Sequence, residues 1–154
     1  MSLTGRKLRE DPMQAAFDEA RAAGARGEAP IGAAVARGGA IIARAGNRTL
    51  EANDPTAHAE ILALREAGHA LGSPRLIGCD LYVTLEPCAM CAGAASHARV
   101  RRLYYGASDE KGGAVDSGVR FFRQPTCHHA PEVYGGLREG EAAALLKAFF
   151  AALR

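Results

Sequence analysis

Apolar residues return at Met13, Ala16, Phe17 and Ala20, the i, i+3, i+4, i+7 spacing that lays one stripe along a helix. Pro12 stands where such a helix can begin, and Gly24 and Gly27 mark its end. Residues 31–36 and 40–44 predict two short strands, joined as a hairpin by Arg37-Gly38-Gly39. Residues 47–56 form a polar stretch closing on Asp54-Pro55-Thr56, and Thr56 is the expected N-cap of the next helix. That helix carries His58, Ile61 and Leu62 on one stripe and is expected to end near Gly68. Residues 80–85, rich in β-branched and aromatic side chains, predict a third strand. Pro87 is expected to open the following helix, where its missing N–H costs nothing. A fourth strand is predicted over 100–105, then a glycine-rich loop over 106–118. Ala142, Leu145, Leu146, Phe149, Phe150 and Leu153 give the clearest helical stripe in the chain. This order predicts an α/β domain with helices on both faces of its sheet, the third and fourth strands being parallel neighbours.

Length and composition narrow the picture. At 154 residues the chain is expected to hold one domain, residues 12–154, behind a polar arm at residues 1–11. A hydrophobic share of 48% and a charged share of 23% are those of an ordinary globular protein. No apolar run is long enough to span a membrane. The first residues lack the apolar core of a secretory signal, so a reduced, cytoplasmic compartment is expected. The net charge of +2 is mild and evenly spread, leaving Arg99-Val100-Arg101-Arg102 and Arg120-Phe121-Phe122-Arg123 as the local basic clusters. Of the four cysteines, Cys79 adjoins a strand and reads as a small buried residue.

The chemistry lies in His58-Ala59-Glu60 and, 26 residues on, Pro87-Cys88-Ala89-Met90-Cys91. One imidazole and two thiolates make three ligands for zinc; a structural site is closed by four protein ligands, whereas a catalytic one keeps a place for water. Cys88 and Cys91, at i and i+3, share a helix face. In a first turn, free N–H groups and the positive dipole end favour thiolates. Glu60 is then the natural proton carrier. On a regular helix a spacing of two would turn Glu60 away from His58, so the pair works only at an irregular helix start. His-x-Glu followed by Pro-Cys-x-x-Cys is a known signature of zinc nucleobase deaminases. Cys127 or His128 as a fourth ligand would make the site purely structural.

With Asn47, Asp54-Pro55-Thr56-Ala57-His58-Ala59-Glu60-Ile61 and Leu81-Tyr82-Val83-Thr84-Leu85-Glu86-Pro87-Cys88-Ala89-Met90-Cys91-Ala92-Gly93-Ala94 in view, the chain resembles the bacterial tRNA-specific adenosine deaminases. The resemblance runs from about Phe17 to the end. It implies a three-layer α/β/α cytidine-deaminase-like fold, a five-stranded mixed sheet flanked by helices, and a homodimer. It implies Zn2+ on His58, Cys88 and Cys91, with Glu60 catalytic. It implies that Asn47 meets the flipped nucleotide, that Pro30 and Ile31 wall the base pocket, and that Asp109 and Lys111 belong to a loop meeting RNA. The backbone around Leu85 and Glu86 would frame the leaving amine. Ser108 stands where the family often has arginine.

The implied activity is hydrolytic deamination of adenosine to inosine at the wobble position of tRNA, with the anticodon stem-loop as partner. A deaminase of a free nucleobase or nucleoside (guanine, cytosine or adenosine) shares the zinc motif. A non-catalytic, zinc-stabilised RNA-binding subunit is the third alternative, and the intact Glu60 argues against it.

Overall fold

The computed structural model describes residues 10–153, so the expected polar arm falls outside it except for Glu10 and Asp11. Helix α1 spans Pro12–Ala25, and the Asp11 carboxylate accepts from the Met13 N–H at 3.0 Å, capping it. Strands β1 (Gly32–Arg37) and β2 (Ala40–Gly46) pair antiparallel across a turn in which Gly38 and Gly39 have φ of +58° and +79°. Side chains rarely adopt that conformation, hence the two glycines. Helix α2 (Ala59–Leu71) leads to β3 (Cys79–Leu85), helix α3 (Ala89–Ala98) to β4 (Arg102–Ala107). A 3₁₀ turn at Phe121–Arg123, the short strand β5 (Glu132–Tyr134) and helix α4 (Glu139–Ala152) complete the order.

The sheet runs β2-β1-β3-β4-β5. β1 pairs antiparallel with β2 and β3; β4 pairs parallel with β3 and β5. The sheet is therefore mixed, and β3 and β4 are the expected parallel neighbours. Helices α1 and α4 pack together on one side, while α2 and α3 pack together on the other. The main core lies on the α2/α3 side around Leu64, Leu76, Leu81, Val83, Leu103 and Tyr105. A smaller cluster around Met13, Phe17, Ala107 and Ala142 joins α1 and α4 to the sheet. Phe17 is fully buried there, with the Arg138 guanidinium 4.2 Å from its ring centroid. Gly32 lets α1 lie directly on β1: a Cβ there would come 1.9 Å from the Ala16 carbonyl oxygen.

Several expected boundaries move, each for a local reason. Thr56 does not cap α2, because its N–H and hydroxyl both bond to Asp54 Oδ1, at 2.8 and 2.7 Å, and His58 takes the N-cap position. Gly68 lies inside α2; the stop is Gly72, with φ +64°, whose N–H reaches Gly68 O and His69 O. Pro87 precedes the N-cap residue, which is Cys88. β4 starts two residues late because Arg99 adopts a left-handed cap, with φ +63°, and the Val100 N–H bonds back to Ala95 O. Gly106 consequently belongs to β4 and not to the loop. The α4 stripe is largely uncovered in the single chain: only Ala142 is buried, while Phe150 and Leu153 are 53% and 68% exposed.

Candidate active site

Two helix starts meet at the carboxyl end of β3. His58 is the N-cap of α2 with extended backbone, φ −73° and ψ 151°, and Cys88 is the N-cap of α3, with φ −72° and ψ 176°. Leaving the helical path at His58 lets that imidazole and the Glu60 carboxylate, in the first turn, serve one site. This is the irregular start that the spacing of two required.

His58 Nδ1 lies 3.6 Å from Cys88 Sγ and 3.5 Å from Cys91 Sγ. Zinc bonds of about 2.3 Å to sulfur and about 2.05 Å to nitrogen, opened to a tetrahedral angle, put nitrogen and sulfur about 3.6 Å apart. The donor set and its spacing thus fit zinc. Among the described residues the cluster holds these three side chains and no fourth ligand. Cys127 is engaged elsewhere, its thiol 3.2 Å from His129 O and 3.6 Å from Ser96 Oγ. His128 is exposed, and the His129 ring is 2.7 Å from Val100 O.

The electrostatics suit a cation. The hydrogen bond from the Cys91 thiol lowers the Cys88 pKa to about 5 against the opposing effect of burial. The same contact, with burial, pushes Cys91 upward. Without metal the two sulfurs therefore share one negative charge, and a bound cation displaces the second proton. Glu60 is 4% exposed, and burial raises its pKa, with the Cys88 charge adding to the rise.

A cavity of about 130 Å³ opens beside the cluster, and its lining includes His58, Glu60, Cys88, Ile31, Leu85 and Asp109. Small-molecule sites usually offer roughly 300–1,000 Å³, so this one takes little more than a ring system and leaves the remainder of a ligand outside. A larger apolar groove of about 480 Å³, between α2 and α3, includes Leu64, Ala94 and His97 and none of the metal cluster.

Of the expected substrate residues, Ile31 and Asp109 line the cavity, while Pro30, Asn47 and Lys111 do not. Pro30 is buried, and Lys111 is exposed. Asn47 is held next to the lining by its N–H bond to Ile31 O, at 3.1 Å. Phe121 and Phe122 pack against the core with rings 6.0 Å apart, and Tyr104 stacks between Tyr82 and Tyr134.

Two carboxylates escape the sequence reading. Buried Glu28 accepts from the Leu50 and Glu51 N–H groups, at 2.9 and 3.2 Å, and so shapes the loop after Asn47. Glu86, 2% exposed, receives several N–H groups from residues 109–117. No local pattern announces either contact, since the partners lie more than twenty residues away.

Comparison with known proteins agrees with this geometry. The pattern of the cytidine and deoxycytidylate deaminase zinc-binding region matches residues 6–107. The tRNA-specific adenosine deaminase of Agrobacterium fabrum is 66% identical over 138 residues, which is 90% of this chain and 91% of that protein. A solved structure from a study of A-to-I editing by tRNA deaminases at the wobble position superposes with a TM-score of 0.87 at 66% identity, covering 88% of this chain and 98% of that one. A guanine deaminase structure from Nitrosomonas europaea gives a TM-score of 0.75 at 28% identity, covering 95% and 87%.

Proposed function

The chain belongs to the cytidine and deoxycytidylate deaminase zinc-binding family, and on that premise we propose that it hydrolyses the wobble adenosine of a tRNA to inosine, releasing ammonia. The observation that carries the chemistry is a buried carboxylate, Glu60, in the same cavity as His58 and Cys88 of a three-donor metal cluster. The substrate is supported by the 66% identity to a tRNA-specific adenosine deaminase.

His58, Cys88 and Cys91 would hold zinc, which when bound supplies Lewis acidity and lowers the pKa of water toward ~7. Glu60 takes one proton from the attacking water and gives it to the ring nitrogen, then carries the second proton from the newly formed C6 hydroxyl to the amine, which departs as ammonia. Burial raises the affinity of this carboxylate for the proton it must carry. Ile31 and Leu85 line the cavity and supply its apolar contacts to the base. In this reading Asn47 and Asp109 contact the nucleotide, and Lys111, exposed on the adjoining loop, meets phosphate. A base stacked in a loop must be turned out to reach so narrow a cavity, and an anticodon loop makes that inexpensive.

The protein acts as a homodimer in the cytoplasm. The exposed α4 residues Phe150 and Leu153 and the α2/α3 groove supply apolar surface for such packing. Among the described residues no helix is long and apolar enough to cross a membrane.

The guanine deaminase likeness keeps a free-base reading in play, and one experiment separates the two. Zinc-loaded protein is offered an anticodon stem-loop with a wobble adenosine, and separately adenine, adenosine, guanine and cytosine. Rapid inosine formation in the stem-loop alone is expected. Turnover of a free base or nucleoside with an untouched stem-loop would refute the tRNA reading. Lys111→Ala should weaken stem-loop binding, with the slope of log affinity against log salt reduced by about one and zinc content unchanged.

A further inference from the structure

Glu86 stands between the end of β3 and Pro87, two residues before the ligand Cys88, and its carboxylate is buried. Oε1 accepts from Asp109 N at 3.1 Å and Ser117 Oγ at 2.9 Å. Oε2 accepts from Val115 N, Asp116 N and Ser117 N at 3.1, 3.0 and 2.9 Å. Five donors from both ends of one loop thus converge on a single side chain. Such an arrangement needs an ionised acceptor, because only a carboxylate offers two oxygens and no competing N–H.

The loop is built around this contact. Ala114 N bonds to Pro87 O at 2.9 Å, and the Tyr105 hydroxyl donates to Asp116 Oδ2 at 2.6 Å. Gly113 passes so close that a Cβ there would lie 2.6 Å from Glu86 Cδ and 2.4 Å from Asp109 O. Asp109 Oδ1 in turn accepts from Lys111 N and Gly112 N, at 3.2 and 2.9 Å. Asp109, Gly112 and Glu86 itself belong to the cavity lining. One carboxylate therefore ties the strand end that leads to Cys88 to the segment that closes the substrate cavity.

We infer that Glu86 is a positioning residue for substrate recognition: its carboxylate holds residues 109–117 as the cavity wall, so that it governs how the substrate base is seated and not the proton transfers. The substrate side of this statement rests on the reading that a wobble adenosine enters this cavity.

The test uses full-length, zinc-loaded protein and the variants Glu86→Gln and Ser117→Ala. Glutamine keeps one acceptor oxygen and turns an NH₂ group on the remaining donors. Amide exchange at 113–117 is expected to speed up by at least ~10-fold in Glu86→Gln, with α2 and α3 unchanged and zinc content full. KM for the stem-loop should rise at least ~10-fold while kcat stays within about three-fold. Ser117→Ala, which removes one of the five donors, should shift both readouts in the same direction by about three-fold. It decides the matter if Glu86→Gln does not fold. Unchanged exchange, or a fall in kcat at constant KM, would overturn the inference. If the wild type turns over only a free base, the tRNA reading falls. Exchange at 113–117 and KM for that base then still decide the role of Glu86.

Discussion

Replacing Glu60 by glutamine removes the one carboxylate in the cavity that is free to carry a proton. Three acidic side chains line the space: Glu60, Glu86 and Asp109. Glu86 is saturated by five donors, and Asp109 is held by two N–H groups of its own loop. Neither can substitute. Positioned acid–base groups are worth ~10²–10⁴ in rate. With no understudy nearby, the loss in Glu60→Gln should fall at the upper end, near 10⁴, which is about 5.5 kcal/mol of transition-state stabilisation. Folding should not suffer, because burial already disfavours the ionised form and glutamine has the same shape. The melting temperature is expected to stay within about 3 °C of wild type or to rise. The assay is single-turnover inosine formation in an anticodon stem-loop, with zinc counted by atomic emission on the same samples. A rate within ten-fold of wild type would sink the assignment. Zinc loss would make Glu60 a ligand and not a proton carrier.

The other expectations are narrower. Stripping zinc with a chelator at neutral pH should abolish deamination and leave the far-ultraviolet dichroism intact, since the core around Leu81, Val83 and Leu103 does not run through the cluster; collapse of the spectrum would show that the ion is needed for folding. Protons compete with the metal for both sulfurs, so zinc affinity should weaken steadily on acidification, and more steeply once Cys88, whose pKa is lowered to about 5, regains its proton. The Glu86 hydrogen bonds outweigh its burial and hold its pKa below the usual 4.5. Its contribution to stability is therefore complete above pH 4.5 and is lost as pH falls through the lower folded value. Acid should accordingly loosen 113–117 in wild type, with little further change in Glu86→Gln, as amide exchange will read. Gly32→Ala should cost about 3 kcal/mol, or roughly 10 °C in melting temperature, because α1 must lift off β1; an unchanged melting curve would show that helix and strand do not meet as described.

The donors were legible in the sequence because two of the spacings are local: Cys88 and Cys91 fall at the start of α3, and His58 and Glu60 at the start of α2, where the extended backbone of His58 lets both serve one site. Bringing His58 to the two cysteines, 30 and 33 residues away, was the work of tertiary packing. The hairpin at Gly38-Gly39 and the α1 stripe through Phe17 were equally readable, since turn chemistry and helical period act over a few residues. Tertiary structure alone decided the rest. Strand β5 is three residues long and exists because β4 offers it a partner. The end of α2 passed over Gly68 to Gly72, where the left-handed cap forms. The strong α4 stripe turned out to be mostly uncovered, because periodicity reports an apolar face but not what lies against it. Glu28 and Glu86 look like ordinary acids until their loops, 22 to 31 residues away, deliver backbone N–H groups to them. A buried carboxylate gains its meaning from donors that chain folding brings, and no local pattern records that encounter.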